Sequence, residues 1–82
     1  MLEKIAKLGK KFYRERLREV LEPQENGKFV AIEPLQGKYF VHEKAAFALE
    51  RGHTEAPDGY FYLMKIGAPH AFNIGKYVKS QR

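Results

Sequence analysis

The chain has 82 residues and a mass of 9.5 kDa, which is enough for one small domain, and we expect no second domain within it. Its residues are 44% hydrophobic and 30% charged, so it is not a disordered tail. The absence of cysteine excludes disulfides, thiolate zinc sites and cysteine nucleophiles. No apolar run approaches the ~18 residues of a membrane span, and the amino terminus lacks the apolar core of a signal peptide. We therefore expect a cytoplasmic protein without a membrane partner.

Residues 2–21 are predicted to form an amphipathic helix that Pro23 ends. At ~100° per residue, Gly9 falls on the apolar arc, where the absence of a side chain predicts a close packing contact. The rest of that arc comprises Leu2, Ile5, Ala6, Leu8, Phe12, Tyr13, Leu17 and Val20. A stripe of cations lies opposite, formed by Lys4, Lys7, Lys11, Arg14 and Arg18.

A β-hairpin is predicted next. Residues 28–33 and 38–42 are rich in β-formers, and Pro34 and Gly37 bound the turn between them. Alternation places Val30 and Ile32 on one face of the first strand and its other apolar residues on the opposite face. Both faces of the hairpin therefore carry apolar groups.

A short helix over residues 43–51 and a strand over residues 60–66 are predicted to complete a single domain at residues 1–69. Gly52 marks the expected end of that helix. Residues 70–82 are basic and show no clear period, which is typical of a mobile tail. The expected fold is α+β in the order α-β-β-α-β, with a small mixed three-stranded sheet that carries both helices on one face.

That arrangement leaves the second sheet face without cover. The aromatic residues there would form an apolar patch larger than a soluble monomer normally exposes. They are Tyr60 and Tyr62 together with Phe29 or Phe40. The C-terminal segment, a second subunit or a foreign protein must cover them. If a protein covers them, this face is a protein interface, and we expect such an interface with self-association.

The net charge of +5 is unevenly distributed: +3 in residues 1–22, −2 in residues 23–64 and +4 in residues 65–82. The helical cation stripe, together with Lys76 and Lys79, suggests a nucleic-acid-binding surface as the alternative function. Glu15 and Glu22 follow Lys11 and Arg18 by four residues, and such pairs would neutralise part of the stripe.

Catalytic and metal-binding patterns are absent. His42, His53 and His70 do not have metal-ligand spacing. Thr54 and Ser80, the only threonine and serine, lack the surroundings of a nucleophile or a phosphate-binding loop. We therefore expect no enzyme activity, no metal and no cofactor.

Three short motifs carry a resemblance to known proteins: GKFVAIE at residues 27–33, GKYF at residues 37–40 and IGAP at residues 66–69. With the alanine-rich helix between them, they resemble a family of small bacterial proteins over roughly residues 10 to 75. The strand-strand-helix-strand order is similar to the partial ribonuclease-H-like sheet of HicB-type antitoxins, which neutralise a small toxin. The resemblance implies a non-enzymatic interaction module, antitoxin-like or an accessory subunit. It assigns no catalytic residue.

Overall fold

The computed structural model describes residues 2–67 and 76–79. The chain begins with α1 (Leu2–Phe12), a π-helical turn (Tyr13–Leu17) and α2 (Arg18–Leu21), which form one continuous N-terminal helix with the predicted bounds. The strands are β1 (Phe29–Glu33), β2 (Lys38–His42), β3 (Tyr60–Lys65) and β4 (Lys76–Lys79), and α3 (Ala45–Glu55) lies between β2 and β3. The α+β class is confirmed, and so is the predicted order of N-terminal helix, β1, β2, α3 and β3.

A four-residue repeat explains the π-helical turn of the N-terminal helix. Its buried positions recur at every fourth residue, namely Ile5, Gly9, Tyr13, Leu17 and Leu21. In an ideal α-helix such a repeat drifts about 40° per step, or about 160° from the first position to the last. The wider turn, in which the Arg18 N–H donates to the carbonyl of Tyr13, takes up this drift. It also rotates Val20 outward, so Val20 is 61% exposed rather than part of the predicted apolar arc.

The sheet has the strand order β2-β1-β3-β4, and every neighbouring pair is antiparallel. At its centre Ala31 lies opposite Phe40 of β2 and Leu63 of β3. The prediction of a mixed, three-stranded sheet is wrong on both counts. β2 and β3 do run in the same direction, but β1 lies between them, because α3 carries the chain past β1 before β3 pairs.

The two helices cover opposite faces of the sheet, which corrects the prediction that both lie on one face. The N-terminal helix packs on the face that bears Val30, Ile32 and Met64. α3 packs on the face that bears Ala31 and Leu63. Since alternation makes both faces of β1 and β3 apolar, each face requires its own helix.

A glycine brings each helix close to an aromatic residue of β3. A Cβ atom on Gly9 would lie 2.6 Å from the Cβ of Tyr62, and one on Gly52 would lie 2.6 Å from Cε1 of Phe61. The predicted close contact at Gly9 is therefore confirmed. Gly52 does not end its helix as expected, because it is buried inside α3, which continues to Glu55.

The segment predicted as a tail contains β4, whose Tyr77 pairs with Tyr62 of β3. Two lysines flank a short Tyr-Val pair there, so the strand has no periodic apolar pattern by which the sequence could reveal it. The other residues of the predicted tail, 70–75 and 80–82, lie outside the described residues.

Replacement of Gly9 by alanine tests the close packing of the N-terminal helix. Helix propensity alone would stabilise the protein by ~1 kcal/mol. The clash with Tyr62 is expected to outweigh this gain, with a net loss of about 1–3 kcal/mol in the free energy of unfolding. Urea unfolding measures the change, and Lys10→Ala, on an exposed neighbouring position, serves as the control. A Gly9→Ala protein that is more stable than the wild type contradicts the close contact.

Candidate functional site

The N-terminal helix presents an exposed cationic surface. All seven of its basic side chains are exposed: Lys4, Lys7, Lys10, Lys11, Arg14, Arg16 and Arg18. The sequence-based stripe included five of them and omitted Lys10 and Arg16. When the helix is divided by the four-residue repeat of its buried positions, Lys10, Arg14 and Arg18 lie in one row along the helix. Grouping by this repeat would therefore have identified Lys10.

Four of these cations surround one depression on the outer side of the helix. Lys7, Lys10, Lys11 and Arg14 line it together with Glu3 and the methyl group of Ala6. Lys4 and Arg18, although exposed, do not line this depression. For Lys76 and Lys79 the structure gives the backbone position, at the two ends of β4.

No cation of the N-terminal helix forms an ion pair with a carboxylate side chain of the protein. All ten acidic residues lie within the described residues, where the one ion pair joins Lys28 to Glu25 at 2.6 Å. The expected pairs of Glu15 with Lys11 and of Glu22 with Arg18 are therefore wrong.

The local backbone explains why both pairs fail. Glu15 lies in the π-helical turn, where positions four residues apart are no longer stacked. Glu22 has extended backbone angles beyond the end of α2, and its carboxylate accepts a hydrogen bond from Tyr13 instead. The cationic surface consequently keeps its charge.

The four aromatic residues of the predicted protein interface are packed against the two helices. Tyr62 is only 3% exposed and Tyr60 packs with it beneath the N-terminal helix. Phe29 and Phe40 pack against the core under α3. The premise of that prediction, a sheet face without cover, is wrong because each helix covers one face. The role of these residues in binding a protein stays a prediction.

A groove of about 420 Å³ lies on the other flank of the N-terminal helix, between it and the β1–β2 turn at residues 34–37. Phe12 and Arg16 contribute to the helix side, and the Arg16 guanidinium carbon lies 5.9 Å from the centre of the Phe12 ring. Leu35, which is 52% exposed, contributes to the turn side. Lys11 lines both this groove and the cationic depression.

The buried carboxylate of Glu33 holds the turn that forms the groove wall. Glu33 is 1% exposed, and its Oε1 accepts the backbone N–H groups of Leu35 at 2.7 Å and Gln36 at 3.2 Å. Its Oε2 accepts the N–H of Tyr60 at 2.7 Å, at the start of β3. A buried carboxylate is costly unless it is hydrogen-bonded, and these three donors satisfy it. Sequence pattern did not reveal this role of Glu33.

Tyr13 links the end of the N-terminal helix to the end of β3. Its hydroxyl donates a hydrogen bond to Glu22 and accepts the N–H of Gly67 at 3.3 Å. Burial, together with the bond to the Glu22 carboxylate, raises the pKa of Tyr13 to about 12. Burial also raises the pKa of Tyr62. Both hydroxyls are therefore neutral at physiological pH.

The histidines do not converge on a site within the described part of the chain. His42 Nδ1 accepts the N–H of Lys44 at 3.1 Å, whereas the His53 ring packs 5.7 Å from that of Phe61. The hydroxyl of Thr54 donates to the carbonyl of Glu50 at 3.1 Å, within α3. His70 and Ser80 lie outside the described residues.

Comparisons with known proteins leave the chain without an assigned family. No protein-family model matches it, and no curated protein and no solved structure does so either. Among residues 2–67 and 76–79, no three histidine or acidic side chains are grouped as metal ligands, and no helix has the length and apolarity to span a membrane. The resemblance to HicB-type antitoxins stays a prediction.

Replacement of Tyr13 by phenylalanine tests the hydroxyl network. The folded-state pKa of about 12 for Tyr13 exceeds the ordinary value of 10.0. The protonated hydroxyl therefore contributes fully to the free energy of unfolding below pH 10, and this contribution is lost as the pH rises through 12. We expect Tyr13→Phe to lose less stability than the wild type between these pH values. Urea unfolding across this range measures the difference, with Tyr39→Phe, on an exposed ring, as the control. Identical pH profiles for wild type and Tyr13→Phe would refute the shift.

Replacement of Glu33 by glutamine tests the pinning of the turn. The amide group keeps one acceptor oxygen but places an NH₂ donor against a backbone N–H, so about 1–3 kcal/mol of unfolding free energy should be lost. Chemical denaturation measures this loss, and Glu50→Gln at an exposed position of α3 makes the same chemical change as a control. Equal stability of the two variants would exclude a structural role for the Glu33 carboxylate.

Proposed function

We propose that the protein binds nucleic acid through the cationic surface of its N-terminal helix. The observation that supports this is the convergence of Lys7, Lys10, Lys11 and Arg14 on one depression without an ion pair to any carboxylate side chain of the chain. Cations that face solvent in this way displace the counterions condensed on a phosphate backbone. The release of those counterions provides affinity without base contacts. The local charge of +3 in residues 1–22 favours association with a polyanion.

Recognition by this surface is expected to depend little on sequence. Residues 2–21 contain no serine, threonine, asparagine or glutamine. Asparagine and glutamine are the usual side chains that read adenine edges, and the helix has neither. Its lysines and arginines can read guanine edges, but most contacts of such side chains go to phosphate. The proposed activity is therefore that of a general nucleic-acid-binding domain.

Salt dependence of binding tests the proposal. Four phosphate contacts predict that the logarithm of the association constant falls against the logarithm of salt concentration with a slope between about −2.8 and −3.6. We expect the double substitution Lys7→Glu with Arg14→Glu to weaken binding by roughly tenfold or more and to reduce the slope by about 2. Fluorescence anisotropy of a labelled oligonucleotide measures both quantities.

A control with the same change in net charge is available on the opposite side of the molecule. Lys44→Glu with Arg51→Glu alters two exposed cations at the start of α3 and within it, and it should leave the affinity nearly unchanged. If both double variants weaken binding equally, only net charge matters and the helix is not the site. If the helix variant binds as the wild type does, the proposal fails.

An antitoxin-like or accessory protein-binding function, with self-association, is a second hypothesis that has less support. The large apolar side chains exposed in the described part are Val20, Leu35, Tyr39 and Phe47. They belong to four different segments of the chain, namely α2, the β1–β2 turn, β2 and α3. The covered sheet faces remove the apolar patch on which that hypothesis depended.

A further inference from the structure

We infer that the nucleic acid bound by this protein is single-stranded, and that an unpaired base enters the groove between the N-terminal helix and the β1–β2 turn. This inference rests on the proposed function. It is carried by Lys11, which lines the cationic depression on one side and the groove on the other. A backbone whose phosphates lie in the depression can therefore direct a base across Lys11 into the groove.

The groove has the size and chemistry for a base. Its volume of about 420 Å³ falls within the range of about 300–1,000 Å³ that is usual for small-ligand sites. Leu35 and Phe12 provide apolar contact, and Arg16, which also lines the groove, carries a guanidinium group of the kind that stacks on bases. Two cations, Lys11 and Arg16, and one carboxylate, Glu15, belong to its lining, so the groove favours a group that is attached to phosphate.

The wall opposite the helix is held in place before any ligand binds. Two of its backbone N–H groups, those of Leu35 and Gln36, are bonded to the buried carboxylate of Glu33. Gly37, with φ +69°, allows the chain to turn directly into β2. A wall that is already ordered loses little conformational entropy on binding, which favours recognition by shape.

A duplex cannot use the groove in this way. In a double helix the bases are stacked and paired, so an enzyme or binding protein must flip a base to reach it, at a cost of a few kcal/mol. A single strand offers its bases without that cost, and stacking or apolar contact then adds affinity to the phosphate contacts. The groove therefore predicts a preference for single strands that the cationic depression alone would not give.

Fluorescence anisotropy with two labelled probes tests the inference on the full chain. The probes are an oligothymidylate of about 15 nucleotides and a duplex of equal length, at the same salt concentration. We expect the single strand to bind at least about fivefold more tightly. We also expect Leu35→Ala to weaken single-strand binding by roughly three- to tenfold and to leave duplex binding within about twofold. An oligouridylate probe of the same length distinguishes RNA from DNA.

The control variant is Phe47→Ala, which removes a side chain of similar exposure, 45%, from α3 on the other face of the sheet. Circular dichroism and thermal unfolding establish that both variants are folded.

Equal or tighter binding to the duplex overturns the inference and leaves the proposed function intact. A Leu35→Ala protein that loses affinity for both probes alike, or for neither, also overturns it. Absence of salt-sensitive binding to both probes refutes the proposed function itself.

Discussion

The structure depends on the close approach of two helices to one strand. Gly9 of the N-terminal helix and Gly52 of α3 face Tyr62 and Phe61, which are consecutive residues of β3 and so point to opposite faces of the sheet. At each contact a Cβ atom would lie within 2.6 Å of the aromatic side chain, so no larger residue fits without movement. The two aromatic side chains consequently fill the space directly beneath the helix backbones, one in each core.

This contact fixes the direction in which each side of the N-terminal helix faces. With Ile5, Gly9 and Tyr13 toward the sheet, the four-residue repeat distributes the remaining positions over three rows. One flank carries Lys10 and Arg14, and the opposite flank carries Leu8 and Phe12 toward the β1–β2 turn. The cations around the depression and the position of Leu8 and Phe12 in the groove are therefore two results of one packing arrangement.

Local patterns in the sequence predicted much of the fold. The N-terminal helix follows from apolar periodicity, the hairpin from β-forming residues around a Pro/Gly turn, and β3 from a continuous apolar run. The close contact at Gly9 follows from its place on the apolar arc. Alternation shows that both faces of the central strands are apolar, but the sheet order and the face that each helix covers could not be predicted with the same reasoning. They depend on which strand β3 pairs with, and that choice is made by contacts distant in sequence.

The candidate site was predicted in part. Lys7, Lys11 and Arg14 were identified from helical spacing, but an assumed period of 3.6 residues omitted Lys10 and placed Val20 in the core. The π-helical turn that causes the difference arises from the fit of the helix to the sheet, which no local propensity encodes. The groove was missed for a similar reason: its two walls lie some twenty residues apart in sequence, and the turn is positioned by the carboxylate of Glu33, which also binds β3.

The placement of Phe61 and Tyr62 has a consequence for how the protein unfolds. The two hydrophobic cores lie on opposite sides of a single sheet, and each is too small to be stable alone in a chain of 82 residues. Because neighbouring residues of β3 belong to both cores, neither helix can leave the sheet without exposing a ring whose backbone also supports the other helix. The two cores are thus coupled through one strand, so the molecule should unfold as a single cooperative unit. The amide groups of β3 should exchange with solvent most slowly.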